Sequence, residues 1–79
     1  MARYFFHLRD GEDQLLDPDG TELVDHQAIE AAALRAARDT LSHELQLGRL
    51  DLRFRIDVED DDGNIVHSIA LADAFETIR

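Results

Sequence analysis

The stretch LDLRFRIDVEDDDGNIVHSIAL, residues 50–71, decides the fold. Leu52, Phe54, Ile56 and Val58 take every second position, with Arg53, Arg55, Asp57 and Glu59 between them. A period of two predicts a strand with one face in a core and one in water. Asp62-Gly63 is a turn signal, and Ile65, His67, Ile69 and Leu71 then share one phase, so the segment reads as a β-hairpin. A two-residue Asp62-Gly63 loop pairs Val58 with His67, Ile56 with Ile69 and Phe54 with Leu71. A three-residue loop would set Val66, Ser68 and Ala70 opposite the core residues instead. The first register buries more apolar surface and is the expected one.

Working back along the chain, residues 3–9 form an aromatic strand with Tyr4, Phe6 and Leu8 inward and Arg3, Phe5, His7 and Arg9 outward. Asp10-Gly11 turns the chain into a short strand at about residues 14–16. Asp17-Pro18-Asp19-Gly20 fits a type I turn. Leu23-Val24 leads into a helix over residues 26–47, with Asp25 as its N-cap. Ile29, Ala33, Leu34, Ala37, Leu41 and Leu45 cluster on one side of that helix, and Arg35, Arg38, Asp39, Ser42 and Gln46 on the other. Alanines at 31, 32, 33, 36 and 37 favour the helix and keep it thin enough to lie close to a sheet. After the hairpin, Ala74, Phe75 and Ile78 in the tail 72–79 have the spacing of one amphipathic turn.

The pattern is ββαββ. It predicts one small α+β domain over residues 1–79: a four-stranded antiparallel sheet in the order 2-1-3-4, with the helix packed on one face.

Four segments carry a family resemblance: RYFFHLRDG (3–11), DPDGTEL (17–23), the helical ALRAAR (33–38) and RFRIDVEDDDG (53–63). With them the chain resembles a family of short uncharacterised bacterial proteins. The resemblance spans nearly the whole chain. It implies the ββαββ fold and brings no activity, cofactor or site residue with it.

Composition narrows the function. A chain of 79 residues with 44% apolar content supports one small core rather than disorder. With no cysteine, disulfides, thiolate metal sites and cysteine nucleophiles are excluded. No apolar run is long enough for a membrane span, and the first residues lack a signal-peptide core, so the expected compartment is the cytoplasm. A net charge of −10 disfavours nucleic acid and anionic membrane and suits a basic protein partner.

No chemistry-bearing constellation emerges. His7, His26, His43 and His67 never fall at i, i+3 or i, i+4, so no metal site is expected. In an EF-hand frame set by Gly20 or Gly63, the first ligand would be Leu15 or Val58, which cannot ligate through a side chain. Ser42, Ser68, Thr21, Thr40 and Thr77 sit in no nucleophile elbow, and no glycine-rich loop precedes the helix. The expectation is a protein without catalysis, cofactor or metal.

The outer sheet face is the sharper feature. Arg3, Phe5, His7 and Arg9 are expected beside Arg53 and Arg55, and these six form the candidate interaction surface. Aromatic and arginine side chains are common interface anchors. The expected function is a protein-interaction domain that binds a partner or forms a homo-oligomer. The alternatives are an acidic, antitoxin-like neutraliser of a basic partner and a nucleic-acid binder using the arginine face.

Overall fold

A computed structural model describes residues 1–78. The elements run β1 (Ala2–Arg9), β2 (Gln14–Leu15), β3 (Thr21–Leu23), α1 (His26–Gln46), β4 (Arg55–Glu59) and β5 (Ile65–Ala70), followed by a 3-10 turn at Leu71–Asp73. The class is α+β, as expected, with all strand pairings antiparallel. The sheet has five strands rather than four. Along the order β2-β1-β4-β5, the extra strand β3 shares the same edge of β1 as β2. Three residues, Thr-Glu-Leu, are too few to display an alternation, so the sequence hides this strand.

The core forms where α1 meets β4 and β5. Ile29, Ala33, Ala37 and Leu41 recur every four residues on the buried helix face and meet Ile56, Val58, Leu71 and Ala74. Tyr4, Phe6 and Leu8 pack against this cluster, as their phase predicts. Asp25 caps α1: its Oδ1 accepts from the Ala28 amide at 2.8 Å, satisfying one free donor of the first turn. Leu34 is half-buried, but Leu45 points out and is 62% exposed, while Glu44 turns inward. Glu44 binds Arg49 at 2.7 Å through Nε, and the Arg49 amide also donates to the Glu44 carbonyl. The returning chain therefore claims position 44 and leaves the expected core leucine outside.

The β4–β5 register is the expected one at its inner end, with Ile56 opposite Ile69 and Val58 opposite His67. Leu71 donates its amide to the Phe54 carbonyl. The tip differs. Asp60 donates its amide to the Asn64 carbonyl, so Asp61-Asp62-Gly63 forms a three-residue loop, with Gly63 at φ 83°. A bulge between Val58 and Glu59, which sets Glu59 opposite Ile65, restores the inner phase. Loop length and core register are thus set separately.

Two further expectations are corrected. The third expected strand begins at Arg55, not Leu52: residues 52 and 53 lie in a turn held by the Arg53–Asp51 pair, and Leu52 is 40% exposed. In the tail, Ala74 is buried, but Phe75 is 42% and Ile78 85% exposed, so no amphipathic turn buries all three. Arg79, the last residue of that expectation, lies outside the described residues.

Candidate functional site

The outer face of the sheet is built by β1 and β4, whose register sets Phe5 opposite Glu59, His7 opposite Asp57 and Arg9 opposite Arg55. Alternation alone would leave Asp57 in water, yet it is 1% exposed. Arg55 Nε donates to both its oxygens at 3.0 and 3.2 Å, Arg9 at 3.2 Å and the Ser68 hydroxyl at 2.6 Å. Burial alone would raise the Asp57 carboxyl. The hydrogen bonds from Ser68, Arg55 and Arg9 outweigh it and hold the group below the usual carboxylate range. Arg9 also binds Glu59 at 2.7 Å and Gln14 at 3.1 Å, and the Glu59 bond chiefly raises the guanidinium above its ordinary value.

His7 is buried beneath this network. Its Nδ1 accepts from the Asp17 amide at 3.1 Å, and its Nε2 stands 3.6 Å from Glu59. Phe5 stacks on the His7 ring, with centroids 6.3 Å apart and planes 9° off parallel. Asp17 in turn accepts from the amides of Phe6, Asp19 and Gly20, so the 17–20 turn is closed through its carboxylate and tied to β1. Gly20 lies so close that a Cβ there would meet Arg3 Cγ and Phe5 Cε1 at 2.9 Å.

Of the six candidate residues, Arg3, Phe5, His7, Arg9 and Arg55 therefore lie in β1 and β4, and Arg53 stands off in its turn. Arg3 donates to the Asp19 carbonyl at 2.6 Å and to Glu22 at 3.4 Å. The four guanidiniums all have partners within the chain. Ser68 donates to Asp57, whereas the His7 nitrogens face the Asp17 amide and Glu59, so these three residues do not form a nucleophile–base relay. Among the described residues no cluster of three His, Asp or Glu side chains is arranged to hold a metal, and no helix is long and apolar enough to cross a membrane.

The unsatisfied surface lies elsewhere and is apolar. At the C-terminal end of α1, Leu41, Leu45, Leu50 and Phe75 wall a cleft of about 190 Å³ with no polar lining. Leu45 is 62% exposed, and Leu50 and Phe75 42% each. Sequence reasoning missed this cleft because it counted Leu45 as core. The one available signal was the Leu45, Leu47, Leu50, Leu52 run, richer in leucine than one helix face can bury. A second groove runs between α1 and β2 over Phe6, Leu8, Leu16 and Ile56. It exists because one helix, about 10 Å wide, roofs only two strands spaced about 4.8 Å apart.

A family model described as a domain of unknown function (DUF6894) matches residues 3–72. No curated protein and no solved structure matches the chain.

Proposed function

The chain belongs to the DUF6894 family, a domain of unknown function, and from its surfaces we propose that it is a protein-interaction domain without catalysis. The observation that carries this reading is the cleft of Leu41, Leu45, Leu50 and Phe75. A small monomer has little reason to leave large apolar side chains together in water, and such patches mark contact sites. Glu44 and Asp51, next in sequence to the cleft residues Leu45 and Leu50, are each already joined to an arginine. The net charge of −10 favours a basic partner over an acidic one.

The outer face is a secondary contact surface in this proposal, through the exposed sides of Arg3, Arg53 and Arg55. Its internal ion pairs argue against the nucleic-acid alternative, which needs cations free for phosphate. The neutraliser alternative makes the same demand for a basic partner and is a special case of the main reading.

The test is capture of native complexes with wild type and with the double variant Leu45→Glu, Phe75→Ser. Both sites are exposed, so the thermal midpoint should stay within a few degrees of wild type. The expected result is a stoichiometric partner held by wild type and lost by the variant. Identical complexes from both would overturn the cleft as the contact.

A further inference from the structure

The strand β5 closes the sheet on one side and pairs with β4 alone. Its sequence, IVHSIA, contains no charge and no proline in a chain where 33% of residues are charged. Natural edge strands are normally blunted by charge, proline or interruption, because their free amides and carbonyls invite another strand. The opposite edge obeys that rule, since β2 and β3 are short and separated by Asp17-Pro18-Asp19-Gly20. The bulge blunts β5 only near Val66.

We propose that β5 is a homotypic pairing edge, joining a second copy of this chain antiparallel into one continuous sheet. The bond from the Leu71 amide to the Phe54 carbonyl sets the alternation of the β4–β5 ladder. The backbone groups of Ile69 and His67 also turn to β4, and those of Ser68 and Ala70 turn to the open edge. Ser68 of one copy opposite Ala70 of the other gives a symmetric set of hydrogen bonds about a two-fold axis at Ile69. Small side chains at 68 and 70 present no steric bar.

Charge selects the antiparallel arrangement of two like copies. A parallel pairing would set the two Asp60-Asp61-Asp62 turns side by side. The antiparallel one puts them at opposite ends, each about seven residues of ~3.3 Å from the axis at Ile69 and so roughly 45 Å apart, far beyond the ~8 Å screening length at physiological salt. The acid-bearing β2–β3 edges then lie at the far margins. Because α1 rests on both β4 and β5, strand spacing places the two helices about 10 Å apart, the distance at which helices pack.

Ala70 offers a clean test. Its φ of −74° and ψ of 143° suit proline, and Ile69 before it is extended. Ala70→Pro removes an outward amide and leaves the β4–β5 ladder intact. The interface is small, so sedimentation is run from micromolar to about 1 mM protein. The expected result is a wild-type dimer that strengthens with added salt, as repulsion between two −10 chains is screened, and a folded, monomeric Ala70→Pro. Amide exchange on wild type adds a readout free of substitutions, in which protection at Ser68 and Ala70 should rise with concentration. A monomeric wild type throughout, or an Ala70→Pro that dimerises like wild type, overturns the proposal. Loss of dimer in Leu45→Glu, Phe75→Ser but not in Ala70→Pro would assign association to the cleft instead.

Discussion

Along one margin of the sheet the chain runs as two fragments, Gln14–Leu15 and Thr21–Leu23, held to β1 through the Asp17 carboxylate. Along the other it runs as six uncharged residues with one bulge. The first margin is made by local polar chemistry: carboxylates of Asp10 and Asp17 gather nearby amides, and of its leucines Leu15 and Leu16 are exposed while only Leu23 reaches the core. The second is made by burial: β5 leads into Leu71, which is fully buried under the helix. One margin is therefore held by local polar contacts and invites little. The other is strongly anchored on one side and open on the other. The difference teaches that an edge can be strong in its own fold and still be available to another chain.

The largest expected effect lies at the buried margin. Leu71→Ala should destabilise by about 2–5 kcal/mol, the range for emptying a large core site, whereas Leu15→Ala, 70% exposed, should change little. Denaturant melts read both, and equal losses would break the distinction between a packed and a polar margin.

An intermediate effect separates the glycines of the two margins. Gly20→Val combines a φ of +72° with 2.9 Å contacts to Arg3 and Phe5 and should cost about 1–3 kcal/mol. Gly63→Ala at the open hairpin tip meets nothing within 4 Å and should cost only the left-handed backbone penalty of about 1 kcal/mol. Reversal of that order in thermal melts would mean that the β1–β3 approach is looser than described.

The smallest effect is in acid. Burial would raise Asp17, but the amides of Gly20, Phe6 and Asp19 and the nearby His7 hold it low. A carboxylate depressed below its unfolded value of about 3.9 stabilises the fold above that pH. The contribution fades as pH falls through the lower, folded value. Stability of wild type should therefore drop below about pH 4, and Asp17→Asn should flatten part of that slope while lowering stability at neutral pH. Parallel pH profiles for the two proteins would remove Asp17 as the tie between margin and sheet.

The facing of Tyr4, Phe6 and Leu8, the Asp25 cap and the inner hairpin register were legible because each rests on a local pattern that packing reinforces. Leu45 was not, because Arg49 and the returning chain draw Glu44 inward, a contact no helical projection contains. Arg53 misled because the LDLRF alternation continues past the point where the ladder stops. Asp57 misled in the opposite direction. On a nominally wet face it is enclosed by Arg9, Arg55 and Ser68, each from a different strand. Such closure depends on strand neighbours, which one sequence shows only indirectly.

The bulge beside Val66 has a consequence for how this hairpin tolerates change. Without it, adding or removing one residue at the tip would turn every inner side chain to the wrong face. With it, one residue of slack already sits between tip and ladder. Deletion of Asp61 can be absorbed in two ways, by a two-residue Asp62-Gly63 turn with the bulge kept or by flattening the bulge around a three-residue Asp62-Gly63-Asn64 loop, with Ile56 opposite Ile69 in both. Residues 61–63 are thus the place where this domain can lose a residue, or accept a grafted peptide, without its interior registering the change.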